Sequence, residues 1–324
     1  MIKVAVGWPM TEWERGIFSS ALEVPIELLV PQDRGEIGRV LEDAEFAIVG
    51  LVKREHLERA RRLRVVHFVG AGVDHLPLDL FRERGVILTT GKGTNARAVA
   101  ELALGLILAH LRRIVEHDAI LKGGGWVHFV EDSLEEELEG KTLGILGYGH
   151  IGRELARMAK CMGMRVLAMK RDPSRGPRGD ADFVGGPESL DYILAQSDVL
   201  VLALPLTPET EGILGEREIS MMKKGALLVN VGRGKLVDEA ALKKALDEGR
   251  LSGAALDVWW RYPPKEGFPS PLGLHRHPRV IAHSHKGGWT RQSREKSLRL
   301  AAENVNRYCR GEELLNVVDL ERGY

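Results

Sequence analysis

Leu143-Gly144-Ile145-Leu146-Gly147-Tyr148-Gly149-His150-Ile151-Gly152 is a short apolar run that breaks into G-x-G-x-x-G and continues as the helix-like Arg153-Glu154-Leu155-Ala156-Arg157-Met158. A strand that turns into a helix in this way binds phosphate. Gly147 permits the tight turn, and Gly149 lets backbone N–H groups, with His150 and Ile151 next in line, approach a pyrophosphate. Gly152 lets the helix pack on the strand with its N-terminus aimed at the anion. The fingerprint sits in mid-chain with about 140 residues before it, so a dinucleotide domain here is either preceded by another domain or inserted into one. A glycine pattern alone also occurs in turns that bind nothing, so the reading depends on what the rest of the chain adds.

The bulk properties narrow the class. A chain of 324 residues, 44% hydrophobic and with 37 glycines, is long enough for two domains with separate cores. Its 46 basic and 46 acidic residues cancel, so no net field holds nucleic acid or an anionic membrane surface, and neither is an expected partner. Cys161 and Cys309 lie far apart in helix-like contexts, which fits reduced thiols in a cytosolic protein better than a disulfide framework. Neither flank suggests a metal site. Met1 to Val6 reads as a first strand, and the longest apolar run, Leu102 to Ala109, falls far short of the roughly 20 residues a membrane span needs. A cytoplasmic protein with no targeting segment is expected.

Short apolar runs alternate with polar, helix-like segments from the start: Val4–Val6, Ile26–Val30, Phe46–Leu51, Val65–Val69 and Val86–Leu88, separated by stretches such as Arg54–Leu63. That is the pattern of a parallel α/β sheet. From Asn95 to about Ile120, apolar residues Val99, Leu102, Leu106 and Ile107 recur at helical spacing behind Thr94 or Asn95 as cap, which predicts one long crossing helix. After the fingerprint the alternation resumes with Arg165–Met169, Asp198–Leu204, Ala226–Val231, Ala254–Val258 and Val280–Ala282 as strands, a doubly wound sheet. The tail from Gln292 to Cys309 reads as an amphipathic helix ending at Gly311 and is expected to return to the first domain. The acidic run Glu131–Glu139 reads as a solvated loop, with partner binding as the alternative.

Ligands of open α/β sheets lie outside the carboxyl ends of the strands, which singles out four loops. Leu204-Pro205-Leu206-Thr207-Pro208-Glu209-Thr210 follows one buried-looking strand and Val229-Asn230-Val231-Gly232-Arg233-Gly234 another. Arg233, between two glycines, has the fixed fork that suits a carboxylate, with a surface salt bridge as the alternative. Asp257, ending Ala255-Leu256-Asp257-Val258, either orients a carboxamide or caps a helix. Ile281-Ala282-His283-Ser284-His285-Lys286-Gly287-Gly288 offers two histidines, and a histidine is the natural proton donor to a developing alkoxide near neutral pH.

These segments, taken in order, resemble the D-isomer-specific 2-hydroxyacid dehydrogenase family, which includes glyoxylate/hydroxypyruvate reductases and, as a relative, formate dehydrogenase. The resemblance runs through Gly70-Ala71-Gly72-Val73-Asp74, Asn95 with Val99-Ala100-Glu101, the fingerprint, Leu204–Thr210, Val229–Gly234 with Val237-Asp238-Glu239, Asp257-Val258 and His285-Lys286-Gly287-Gly288. It implies two doubly wound parallel-sheet α/β domains, a flavodoxin-like substrate domain (1–94 plus 290–324) and an NAD(P)-binding Rossmann domain (95–289). It further implies that backbone N–H groups around Val69 to Gly72, Ala71 and Gly72 among them, hold the substrate carboxylate together with Arg233, which also polarises the carbonyl. His285 is the implied acid and base, while His283 is structural. Asn95 and Val99 line the nicotinamide and substrate. Gly147, Gly149, His150, Ile151, Gly152, Leu204, Pro205, Thr210, Val231, Gly232, Asp257, Gly287 and Gly288 are the implied coenzyme contacts. A homodimer through the helix at Asn95–Ile120 is implied as well.

Two departures from the family pattern stand out. The glutamate that pairs with the histidine in relatives lies five residues after the strand-end aspartate; here that residue is Tyr262. A histidine without its anion is a weaker base. Formate dehydrogenases also lack the acid, and formate oxidation needs no proton acceptor, so that activity is the enzymatic alternative; against it, the chain begins directly at its first strand. A dinucleotide-sensing, corepressor-like binding protein is the non-enzymatic alternative. Glu266 is the residue that would swing in for the missing carboxylate. The second departure follows the strand after the fingerprint, where NAD enzymes carry an acid for the ribose 2′-hydroxyl. Lys170-Arg171-Asp172 puts two cations there, which favours NADP, while Asp172 leaves NAD possible. The substrate is then a small 2-oxo or 2-hydroxy acid, glyoxylate or hydroxypyruvate. Trp259, Trp260, Trp289 and the loops near Leu51 and His75 either line its side-chain pocket or, for the tryptophans, lie at a subunit contact.

Overall fold

Strands buried on both faces of a parallel sheet are unbroken apolar runs, and those runs become strands throughout this chain. A computed structural model describes residues 1–130, 134–174, 179–263 and 265–323. The chain begins β1 (Ile2–Val6), α1 (Glu12–Ala21), β2 (Ile26–Leu29), α2 (Ile37–Glu42), β3 (Phe46–Val49), α3 (Arg54–Arg59), β4 (Val65–Phe68), α4 (Leu78–Arg84) and β5 (Ile87–Thr90). It continues α5 (Ala96–Leu111), α6 (Ile114–Lys122), β6 (Thr142–Leu146), α7 (His150–Cys161), β7 (Arg165–Met169), β8 (Phe183–Gly185), α8 (Leu190–Gln196) and β9 (Val199–Leu202). It ends α9 (Glu216–Met221), β10 (Leu227–Asn230), α10 (Glu239–Asp247), β11 (Gly253–Leu256), β12 (Val280–Ala282) and α11 (Arg291–Arg310).

Two compact units result, one of Met1–Asn95 with Trp289–Tyr324 and one of Ala96–Gly288. In the first, five parallel strands lie in the order β2-β1-β3-β4-β5, the doubly wound order of flavodoxin-like folds. One face buries Leu41, Leu57, Phe81 and Leu88; the other buries Phe18, Phe46 and Val65 against Ala301, Ala302 and Val305 of α11. Helix α1 starts at a capping box, with Thr11 Oγ1 accepting from Glu14 N–H at 3.2 Å and Glu14 Oε2 accepting from Thr11 N–H at 3.0 Å. Helix α11 ends at Gly311, whose φ of +70° lets the chain leave the helix. The tail then closes the edge of β5 as an antiparallel bridge, Thr89 opposite Val317, an arrangement that removes an exposed ladder edge.

The second unit is a seven-stranded parallel sheet in the order β12-β11-β10-β9-β6-β7-β8. Strands β6, β9, β10 and β11 are buried along their whole length. The chain order reverses between β6 and β9, so the switch-point crevice lies at the carboxyl ends of those two strands. The short strand β8, Phe-Val-Gly, is too brief to show a period and extends the sheet beyond β7.

One expectation is corrected. The segment from Asn95 to Ile120 is two helices, α5 and α6, not one, because Arg113 adopts φ +45° and ψ +32° between them. No glycine or proline marks this break. Arg113 is held there by its fork on Glu116, Nε to Oε2 at 2.9 Å and Nη2 to Oε1 at 2.5 Å. Cys161 and Cys309 are unpaired and exposed. Among the described residues no helix is long and apolar enough to cross a membrane.

Candidate active site

At the switch point of the second unit each fingerprint glycine has a separate task. Gly147 has φ +108°, and a Cβ on it would lie 2.6 Å from the backbone of Ala203 at the end of β9. A Cβ on Gly152 would lie 2.4 Å from Gly147 O, so the helix sits against its own entry turn as only glycine allows. A Cβ on Gly149 would meet nothing within 4 Å. Gly149 is the N-cap of α7, and no side chain caps its first turn. Uncapped first-turn N–H groups and a helix dipole form an anion site, so the residues present fit a dinucleotide pyrophosphate. Across the switch point, Thr210 ties the loop after β9 together, its Oγ1 accepting from Thr207 N–H at 2.8 Å and donating to Pro205 O at 2.7 Å.

Strand β7 delivers Lys170 and Arg171 next to the fingerprint. Lys170 N–H donates to Gly185 O at 3.0 Å, fixing the strand exit. Arg171 faces Glu209 at 3.6 Å, both side chains well exposed; an exposed, solvent-screened pair of this kind is weak and yields to a better anion. Asp172 Oδ1 accepts from Ser174 N–H at 3.0 Å in a local turn. Residues 175–178 and 131–133, the latter opening the acidic run, lie outside the described residues.

The loop after β10 is shaped by Asn230, a residue to which the sequence reading gave no role. Buried at the strand end, it accepts from Gly232 N–H through Oδ1 at 3.0 Å and donates to Arg233 O through Nδ2 at 2.8 Å. Arg233 Nη1 donates to Gly232 O at 2.9 Å, and the side chain is partly exposed. An asparagine ending an apolar strand and followed two residues on by glycine is the signal that would have marked it.

Asp257 closes the site. Its buried carboxylate, following β11, accepts from three donors of the loop after β12: His283 Nδ1 at 2.6 Å and Lys286 N–H at 3.0 Å on Oδ1, and Gly287 N–H at 3.1 Å on Oδ2. The clasp brackets His285, which holds φ +56°. A non-glycine residue in that region costs of order 1 kcal/mol and persists where its surroundings over-determine it. Gly287 leaves no room for a side chain, since a Cβ would lie 2.7 Å from Asp257 Oδ2 and 2.8 Å from Leu102 Cδ2. Val99, on the same helix as Leu102, is buried. Tyr262 lies against His285, ring centroids 5.3 Å apart and planes tilted by 40°. Glu266, the residue expected to swing in, accepts at its carbonyl from Arg261 at 2.6 Å. Trp259 is buried and donates its indole N–H to His283 O at 2.8 Å, while Trp260 donates to Val237 O at 2.8 Å; both frame the loops. Trp289 is 66% exposed.

In the first unit the glycine loop follows β4. Gly91 N–H donates to Phe68 O at 2.8 Å and Gly70 O at 2.9 Å, and Ser297 Oγ donates to Val69 O at 3.2 Å. These contacts tie back the carbonyls of the loop that carries Ala71 and Gly72, both partly exposed. Thr94 Oγ1 donates to Gly91 O at 2.6 Å, and Asn95 is partly exposed at the end of this unit.

Residues 104–287 match the family model described as D-isomer specific 2-hydroxyacid dehydrogenase, NAD binding domain. The chain is 38% identical to a glyoxylate reductase of Aeropyrum pernix over 82% of its own length and 79% of that protein's. It is 34% identical to a D-3-phosphoglycerate dehydrogenase of Methanocaldococcus jannaschii over 99% of its own length, spanning 60% of that longer protein. Among solved structures, a D-isomer specific 2-hydroxyacid dehydrogenase family protein of Aeromonas salmonicida superposes with a TM-score of 0.86 at 27% identity, covering 98% of this chain and 99% of the other.

Proposed function

The chain belongs to the D-isomer specific 2-hydroxyacid dehydrogenase family of oxidoreductases, and we propose that it reduces a small 2-oxo acid, glyoxylate or hydroxypyruvate, with NADPH as the preferred coenzyme. The observation that carries this reading is the fixing of two loops at strand ends of one sheet edge: the backbone around Arg233, after β10, by Asn230, and the backbone around His285, after β12, by Asp257. Gly147, Gly149, His150, Ile151 and Gly152 would hold the pyrophosphate of the dinucleotide. Leu204, Pro205, Thr210, Val231, Gly232, Gly287 and Gly288 would complete its seat, with Val99 and Asp257 at the nicotinamide end. When bound, the nicotinamide supplies the hydride.

The protein's own groups do the rest. Arg233 pairs with the substrate carboxylate and polarises the adjacent carbonyl, a role that suits its fork geometry. His285, protonated, gives its proton to the carbonyl oxygen as that atom gains charge, and takes it back in the oxidation. The N–H groups near Ala71 and Gly72, with Asn95, contribute to binding the carboxylate, which assigns the first unit (Met1–Asn95 with Trp289–Tyr324) to the substrate and the second (Ala96–Gly288) to the coenzyme. Lys170 and Arg171 favour a 2′-phosphate through charge-assisted hydrogen bonds. Helix α6 has no buried residue, and Ile114, Val115, Leu121, Trp126 and Phe129 are exposed on it and just after it; we assign this apolar run to a homodimer contact in a cytoplasmic enzyme.

The test is NADPH oxidation against a panel of 2-oxo acids, with formate and either coenzyme in a separate arm. Turnover of glyoxylate or hydroxypyruvate well above formate oxidation is expected. Formate oxidation alone, or no turnover with coenzyme bound, would replace the reading.

A further inference from the structure

We propose that Tyr262 is the positioning residue of His285, its ring face taking the place of a carboxylate as the support of the protonated imidazole. The proposal rests on reading His285 as the proton donor. The Tyr262 hydroxyl accepts from Trp259 N–H at 3.2 Å, so the phenol is anchored at its far end to the backbone that follows β11. Trp259 in turn holds the His283 carbonyl. Two residues therefore connect both sides of the pair: the segment bearing Tyr262 and the segment bearing His285 are fastened to each other through Trp259 and through Asp257.

Within that frame the two rings meet at 5.3 Å and 40°. A cation over an aromatic face within about 6 Å is attracted by the ring quadrupole, and the attraction is present only while the imidazole carries its proton. The backbone of His285 is set by the Asp257 clasp; its ring is set by Tyr262. The charged and titratable side chains on the surrounding segments are Arg233, Asp257, Arg261, Glu266, His283 and Lys286, and none is altered in the variants below. Tyr262 is 39% exposed, which places the effect at the lower end, about half a pH unit in the midpoint of His285.

Tyr262→Leu keeps an apolar side chain of comparable bulk against His285 and removes the π face, so desolvation is preserved while the attraction is lost. Tyr262→Phe keeps the face and removes the anchor. The midpoint of His285 is read by NMR on protein labelled in histidine, assigned with His285→Asn, beside the pH profile of kcat/KM for 2-oxo acid reduction. In Tyr262→Leu the midpoint falls by about half a unit, the alkaline limb of kcat/KM falls with it, and kcat drops several-fold while coenzyme Kd stays within twofold. Tyr262→Phe shows less than half of that midpoint shift. A midpoint that is unchanged or rises in Tyr262→Leu, with an intact melting transition, overturns the proposal. A midpoint that falls while the kcat/KM profile stays still overturns the proton-donor reading instead and leaves the contact standing.

Discussion

In the first unit the notable polar side chains are inside the sheet. His67 on β4 is fully buried, with Nδ1 at 2.9 Å from Thr89 Oγ1 and 3.3 Å from Asn304 Nδ2, and Asn304 reaches on to bond the backbone of Leu315 at 2.7 and 3.1 Å. In the second unit they lie beyond the strand ends: Asn230, Arg233, Asp257, His283 and His285 all follow or end a strand. Buried hydrogen bonds favour one packing, here the seat of the C-terminal tail on β4 and β5, with His67 bonded through Nδ1 while its Nε2 is buried without a partner. A network at strand ends shapes loops and leaves charged groups in reach of a ligand. Histidine therefore stands in opposite settings in the two units, inside the sheet in one and beyond the strand ends in the other, where we propose that His285 acts as proton donor.

The largest expected effect breaks the comparison if it fails. His285→Ala lowers kcat for 2-oxo acid reduction by roughly 10²–10⁴-fold, the worth of a general acid, with the melting temperature close to wild type. A comparable loss of stability would place His285 with the structural histidines.

The next effect is thermodynamic. Burial pushes His67 down to about 4 from 6.5, so the native state stays unprotonated where the unfolded chain has already taken up a proton. The associated stability is complete above about pH 6.5 and is lost as pH falls toward 4, in total about 3 kcal/mol. Urea unfolding at the two ends of that window should show wild type losing about that much more than His67→Gln. His110 of the second unit is also lowered by burial, with Glu136 opposing, and is unchanged in that variant. Equal acid slopes would mean that His67 is not buried in solution.

The smallest effect sharpens the account of the strand ends. Replacing Lys170 and Arg171 together by neutral residues should lower the ratio of kcat/KM for NADPH over NADH by roughly tenfold, the worth of one charge-assisted hydrogen bond, mainly through KM. No change in the ratio would turn Asp172 toward the ribose.

Much of the fold was legible because burial leaves a local signature. The runs at Val4–Val6 and Val65–Val69 and the span Arg165–Met169 emerged as β1, β4 and β7, and Gly147 and Gly152 of the fingerprint meet the close backbone that their spacing implied. Three residues at Phe183–Gly185 are too few to show a period, so β8 was missed. The break at Arg113 was missed for a different reason: a side-chain fork on Glu116 holds a conformation that no glycine or proline announces.

The sequence by itself determined two parallel α/β sheets and the glycine spacing of the phosphate turn, because periodicity and glycine spacing are properties of neighbouring residues; Arg233 stood out between two glycines, and the family resemblance singled out His285 over His283. Only the tertiary structure decided that Asn230 clamps the arginine loop, that Asp257 clasps residues 283–287, and that the Tyr262 ring meets His285. Those are contacts between different strand-end loops, and which side chains meet there depends on strand order and on how each loop leaves its strand, neither of which is encoded in local spacing.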